Sequence, residues 1–416
     1  MHQTKITNHE PLFGGTFFRA NRQGLLERLP NRGVVVVPAH TTLQRNRDNT
    51  YPFRQDSNFW YLTGVSEPDV LLVYCEDEAF LIAPIGRHDS YEAFEGALQT
   101  DELLEQSGGL ELVDHRAGWQ RLKQLADKQG AVYVPTPAPS YIRALGLQTN
   151  SGLGRALASM KRRLPSAVQY RDIRAHLNDM RLVKQPEELA AIQKAIDITS
   201  QAFRALDHEP LRSETAIAAQ LRYEFERRGA TEAYPSIVAG GKNACTLHYS
   251  KNNQSLQAGD LLLIDAGAEV SLYAADITRT FAVDETQTSA RAKEVQAAVV
   301  ALQKQALDLF QVGRSLRDIE QAFEPIMLDV LIQLGLTSAQ EPDMLRHYYP
   351  HRLSHFLGLD VHDVGSDTTP LSEGMVMTVE PGIYIPKEGI GVRIEDDIVI
   401  KSSGAAVLSE ACPRGV

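Results

Sequence analysis

The sequence predicts an α/β (α+β) protein of two domains, and three observations carry the prediction. At 416 residues the chain is too long for one ordinary hydrophobic core. Over residues 1 to about 170, short apolar strands alternate with amphipathic stretches, the pattern of a layered α/β domain. From about residue 175 the order helix, helix, strands, acidic hairpin occurs twice, as a repeat of architecture and not of residue identity. The expected domains are therefore 1–174 and 175–416.

In the first part, GVVVVPA (33–39), VLLVYCEDEAFLIAP (70–84) and AVYVPTPA (131–138) read as strands, and 19–29, 91–106 and 116–129 as helices. The cluster RNRDNTYPFRQDSNFWYLTG (45–64) reads as a polar loop ending on aromatics, either a hydrogen-bonded loop or a binding rim. Near 165–187 the character changes. Pro165 and a charged helical stretch lead into Pro186, with Glu187 and Glu188 in the first turn of a new helix. The second part then runs helix (186–206), helix (213–229), strands through 235–249 and a hairpin. It continues as helix (289–312), helix (315–335), strands from about 346 and a second hairpin.

A net charge of −11 and the lack of a basic stripe interleaved with aromatics argue against a nucleic-acid partner. Nowhere do eighteen apolar residues run together, and MHQTKITNHEPLFGGTFF has no continuous apolar signal region, so no membrane partner and a cytoplasmic location are expected. Cys75, Cys245 and Cys412 are widely separated and without metal-type spacing, which reads as reduced thiols. GGKNACT lacks the spacing of a phosphate-binding loop, and no nucleophile-elbow or dinucleotide fingerprint occurs in a strand-turn-helix setting.

The chemistry lies in two acidic pairs. In LLLIDAGAEVSLYAADITRTF the turn centred between Val270 and Ser271 makes Asp265 and Asp276 cross-strand partners. In VMTVEPGIYIPKEGIGVRIEDDIVI the turn at Pro386 to Gly389 does the same for Glu380 and Glu395. Opposed side chains have Cβ atoms roughly 4.5–5.5 Å apart, and like charges so placed are destabilising unless something offsets them. For either pair alone, a turn cap or an ion pair with Arg279 or Arg393 would suffice. Two such hairpins in one chain point instead to cations.

Histidines gather in the same region. HRLSHFLGLDVHDVG (351–365) holds His351, His355 and His362, and LHYS holds His248. Taken alone these are core or surface histidines as readily as ligands, since no HExxH glutamate is present. With four carboxylates nearby, at least two are read as ligands or catalytic groups. Four carboxylates and one neutral imidazole carry about −4, which two divalent cations neutralise, and the oxygen-rich set suits Mn²⁺, with Co²⁺ or Zn²⁺ as alternatives. Two ions roughly 3.5–4 Å apart hold a bridging hydroxide and polarise a carbonyl, a route to hydrolysis.

The stretches LLLIDAGAEVSLYAADITRTF, HRLSHFLGLDVHDVG, VEPGIYI and GVRIEDDIVI resemble the pita-bread-fold metallopeptidases, specifically the aminopeptidase P (Xaa-Pro aminopeptidase) family, and RNRDNTYPFRQDSNFWYLTGVSEPD resembles that family's N-terminal domain. The resemblance implies a creatinase/prolidase-like α/β domain followed by a pita-bread catalytic domain. It implies that Asp265 holds one metal, His355 and Glu380 the other, and that Asp276 and Glu395 bridge them. By the same resemblance Glu380 relays the proton of the bridging water, and His248 and His362 stabilise the oxyanion. His351, Tyr384 and Arg393 line the proline side of the cleft. The implied reaction releases an N-terminal residue from a peptide whose second residue is proline, by a dimer or tetramer. Two departures accompany it: Arg352 stands where many relatives carry a small or apolar residue, and the IPKEGIG connection is short. The alternatives are a prolidase acting on Xaa-Pro dipeptides and an inactive pita-bread binding protein.

Overall fold

Alternation of apolar and polar residues, punctuated by side-chain caps, sets the elements in this computed structural model, which describes residues 12–84, 105, 107–136, 146–206, 213–338 and 341–414. They fall into two compact units, Met1–Met180 and Arg181–Val416. The helix Arg174–Leu182 spans that division, a few residues beyond the change of character in the sequence.

The first unit is built on a six-stranded mixed sheet with the order Glu111–Val113, Ala79–Ile82, Leu71–Tyr74, Val34–Pro38, Ala131–Val134, Gln169–Asp172. Its central strand is fully buried, as its unbroken valine run requires. Val34 and Val36 join Leu122 and Ala126 of the helix His115–Gln129 in one core, while Val35 and Val37 turn to the opposite face. The segment expected as one strand over 70–84 is a hairpin, because Glu76 and Asp77 form a turn closed by the Cys75 amide donating to the Glu78 carbonyl. Part of the expected polar loop at 45–64 is the helix Ser57–Thr63, capped by the Asp56 carboxylate accepting from the Phe59 amide and ended by left-handed Gly64. Its apolar residues, Phe59 to Leu62, are too few to show helical periodicity. The helix expected over 91–106 lies outside the described residues, except for Glu105.

In the second unit the helices Pro186–Leu206 and Glu214–Glu226 precede one hairpin, and Ala290–Leu307 and Leu316–Gln333 precede the other. Ser213, Ser289 and Ser315 cap their helices, the last in a reciprocal box with Asp318. The second pair packs Val295, Val299, Leu302, Ile319, Phe323 and Met327 onto Met377, Val392 and Ile398 of the second hairpin in one core. Two expected strand segments are corrected. Residues 241–249 form a 3-10 turn, Gly241–Cys245, followed by further turns, since Gly241 adopts φ 52 and leaves the extended path. From 346 the chain is the short helix Leu345–Tyr348 and then irregular, and the strand begins only at Val376. The intervening stretch is rich in Gly, Asp, Ser and His, which satisfy the backbone locally. No helix among the described residues is long and apolar enough to cross a membrane.

Candidate metal centre

The two acidic hairpins differ in register. In the first, Asp265 lies opposite Thr278 rather than Asp276, because the turn is formed by Ser271 and Leu272, both left-handed at φ 49 and 65. That two-residue turn is one position later than the sequence suggests. A displacement of two residues preserves the face, so Asp265 and Asp276 remain diagonal neighbours on one side. Gly267 lies between them where a Cβ would meet the Ala275 carbonyl oxygen at 1.7 Å. In the second hairpin the pairs Val379 with Asp396 and Gly382 with Arg393 share one register, which sets Glu380 opposite Glu395 at the junction of the two ladders. The hairpins are joined at this point. The Glu395 amide donates to the Thr278 carbonyl at 3.0 Å, and the Thr278 hydroxyl donates to Glu395 Oε2 at 2.6 Å.

His355 is fixed from both sides. Its amide donates to Thr378 Oγ1 at 3.2 Å, its carbonyl accepts from the Thr378 amide at 3.0 Å, and its Nδ1 lies 3.0 Å from the Phe356 carbonyl. That contact places the Nδ1 proton on the carbonyl and turns Nε2 toward Asp276 Oδ2 at 3.4 Å and Glu380 Oε1 at 3.6 Å. Asp276, His355 and Glu395 offer ligand atoms that all lie within 4.8 Å of one another. Asp265 is drawn aside by Arg393 Nη2 at 2.6 Å, and Glu380 stands beside His351 Nδ1 at 3.6 Å. His351 Nε2 and Arg393 Nη1 both contact the Tyr384 hydroxyl, at 2.8 and 2.9 Å. His362 sets its ring 4.3 Å from that of His355, edge to face.

A cavity of about 80 Å³ is lined by Leu247, His248, Asp265, Asp276, His351, His355, His362, Glu380, Arg393 and Glu395. Nine of the ten residues singled out in the sequence therefore meet around one space, and Tyr384 stands behind it against His351 and Arg393. Sequence reasoning missed Tyr234, whose hydroxyl lies 2.5 Å from both Asp265 Oδ1 and Asp276 Oδ1. It also missed Thr278, and Asp397, which accepts from the Asp276 amide at 3.1 Å. A lone tyrosine carries no charge pattern. The available signal was proximity, since Ile237 pairs with Asp265 and brings the residues just before it to the site.

The electrostatics call for a cation. Burial pushes the Asp265 carboxyl up to about 6, against the pull of Arg393, and pushes Glu380 up to about 7. Burial, then the neighbouring charges of Asp276 and Glu380, raise Glu395 well above the usual carboxylate range. Burial works in the same direction on Asp276, but contact with His355 holds it below its ordinary value. Burial would lower His355, yet Asp276 and Glu380 raise it to about 9. His351 and His362 fall to about 3 and about 4, by burial first and then by nearby positive charge. Four carboxylates around one guanidinium, with three of them driven toward protonation, match the donor set of a divalent-cation site.

Residues 190–402 match metallopeptidase family M24, and residues 18–133 match the aminopeptidase P N-terminal domain. The chain belongs to family M24. Its first unit carries the aminopeptidase P N-terminal domain, and its second is a pita-bread domain. Among curated relatives, the Xaa-Pro aminopeptidase of Escherichia coli is 34% identical over 93% of this chain and 92% of the relative. That of Haemophilus influenzae is 36% identical over 96% and 95%. Among solved structures, zinc-substituted E. coli aminopeptidase P in complex with product has a TM-score of 0.83 at 33% identity, covering 96% of each chain. Membership in the family implies divalent metal ions, for which the acidic cavity is the fitting place.

Proposed function

We propose that this protein is a metal-dependent Xaa-Pro aminopeptidase, hydrolysing the bond between an N-terminal residue and a penultimate proline. The observation that carries the reading is the convergence of Asp276, His355 and Glu395 with Asp265 and Glu380 on one buried cavity of a family M24 domain. Asp265 would hold one metal, His355 and Glu380 the other, and Asp276 and Glu395 both. The mix of oxygens with one imidazole favours Mn²⁺, with Co²⁺ or Zn²⁺ able to substitute. When bound, such ions supply a nucleophile at neutral pH and polarise the scissile carbonyl.

The rest falls to the chain. His248 and His362 face the cavity, and His362 is neutral at pH 7, so its ring can donate one hydrogen bond to the developing oxyanion. Glu380, at the cavity wall, takes the proton of the attacking water and delivers it to the leaving nitrogen. Arg393, Tyr384 and His351 form a hydrogen-bonded row on the proline side. A proline nitrogen in peptide linkage has no N–H, so this wall needs no acceptor for one. Peptides are the partners in this reading, the assembly is a dimer or tetramer, and the location is cytoplasmic.

The test is cleavage of Arg-Pro-Pro and Ala-Pro after metal removal and Mn²⁺ addition. Metal-dependent release of Arg from the tripeptide is expected. Cleavage of the dipeptide alone would replace the reading with a prolidase, and cleavage of neither with metal bound would contradict both.

A further inference from the structure

Glu214 begins the helix Glu214–Glu226, and none of its surface is exposed. A buried carboxylate needs a cation or a full set of donors. Among the described residues no Arg, Lys or His forms an ion pair with it. Its oxygens instead take four hydrogen bonds. Oε1 accepts from the Gly240 amide at 3.0 Å and from Asn243 Nδ2 at 2.8 Å. Oε2 accepts from the Tyr249 hydroxyl at 2.8 Å and from the Gln254 amide at 2.9 Å. The helix N-terminus adds its positive end.

All four donors belong to residues 240–254, the loop that carries His248, two on one side of it and two on the other. Tyr249 is directed inward to Glu214 and is 9% exposed, whereas His248, its neighbour, is exposed and lines the metal cavity. Elsewhere the loop is secured to strand backbone, by Asn252 accepting from the Val238 amide at 2.9 Å and by the Cys245 thiol donating to the Ile390 carbonyl at 3.3 Å, and to the start of the helix, by the Thr215 hydroxyl donating to the Asn252 carbonyl at 2.7 Å and the Glu214 amide to the Gln254 carbonyl at 3.0 Å. Both arms of the loop meet at the Glu214 carboxylate, and beside it Asn243 Nδ2 donates to the Tyr249 hydroxyl at 3.2 Å, so the carboxylate sits at the one point where the arms touch.

We propose that Glu214 is a positioning residue for His248, holding both arms of the loop so that the imidazole stays over the cavity. The inference rests on the role given to His248 above. A carboxylate accepts all four bonds; an amide in its place has two hydrogens to donate and turns them against two of the donors. Glu214→Gln therefore loosens the loop. Tyr249→Phe removes one donor to the carboxylate and the hydroxyl that accepts from Asn243, leaves the carboxylate served by three, and tests the same idea if Glu214→Gln does not fold.

The experiment measures kcat, KM and bound metal on Arg-Pro-Pro for both variants, each with and without His248→Ala, and follows the His248 ring signal by NMR. Glu214→Gln is expected to lower kcat about ten- to hundredfold, since misplacement of about 1 Å has that effect. Tyr249→Phe lowers it less. Bound metal stays at the wild-type level, and neither variant costs further activity once His248 is alanine. The His248 signal, single in the wild type, broadens or doubles in both variants whether or not the peptide is cleaved. An unchanged signal with wild-type kcat would overturn the inference, as would equal losses with and without His248. Wild-type activity in His248→Ala alone would overturn it together with the role of His248. Failure of the wild type to cleave the peptide, with the ring signal responding as expected, would remove the proposed substrate and the link to catalysis, and leave only the loop contact.

Discussion

Tyr234 has one proton and two carboxylate neighbours at 2.5 Å, so it orients Asp265 and Asp276 together. Tyr234→Phe is expected to weaken metal binding about 10- to 100-fold, the usual cost of losing a partner of a ligand, which titration of metal-stripped protein checks. Asp276→Ala, Glu380→Ala and Glu395→Ala are expected to abolish hydrolysis while leaving circular dichroism unchanged. Near-normal activity in any of them would contradict the ligand assignment. pH dependence follows from the same groups. Glu380 is raised from 4.5 to about 7 and His355 from 6.5 to about 9, so between these values the native state holds protons that the unfolded state releases. The stability due to His355 is fully present below about 6.5 and is lost as pH rises through about 9. His351 and His362, lowered to about 3 and about 4, act oppositely but only below 6.5. Metal-stripped protein is therefore expected to lose thermal stability from pH 6.5 to 9, and its gap in Tm from the loaded protein to widen. A constant gap would show that the cation does not replace these protons. The glutamates were legible because opposed like charges are rare, and the aspartates because a two-residue slip leaves them on one face; Tyr234 and Thr278 act through hydroxyls, whose pattern in a sequence is silent.

At the scale of elements, the segment 351–365 shows how irregular backbone is held in place. Asp363, buried with its neighbours, accepts from Arg181 Nη2 at 2.5 Å and Lys184 Nζ at 2.9 Å, while its amide donates to the Phe356 carbonyl at 2.9 Å. Lys184 also donates to the Arg181 carbonyl at 2.7 Å. Asp363→Ala removes the carboxylate that buried Arg181 and Lys184 share, and breaking such a pair costs about 3–5 kcal/mol. Urea denaturation with that loss is expected; a midpoint within error of the wild type would mean the cluster is solvated in solution. Helices were readable from their period and from start signals such as Pro186 with Glu187 and Glu188 in the first turn. The register of the first hairpin was not. Ser271 and Leu272 adopt left-handed conformations without a glycine or asparagine to announce them. The sequence pattern puts the turn one residue early, and only the period of two keeps the aspartates on one face.

Over the whole molecule, the doubled helix, helix, hairpin order was visible in the sequence because each helix pair covers its own hairpin. The meeting of the two halves was visible only as an expectation. It depends on contacts such as Thr278 to Glu395, made between residues 117 positions apart, which no local pattern encodes. This shared site is expected to work only with metal. The most direct measurement is the rate of Arg release from Arg-Pro-Pro by stripped protein as Mn²⁺ is added back, with bound metal counted in the same samples. The expectation is no hydrolysis in the stripped protein and a rate that rises with occupancy of the site, absent at every Mn²⁺ concentration in Glu395→Ala. Hydrolysis that persists in the stripped protein, or that returns in Glu395→Ala, would contradict it.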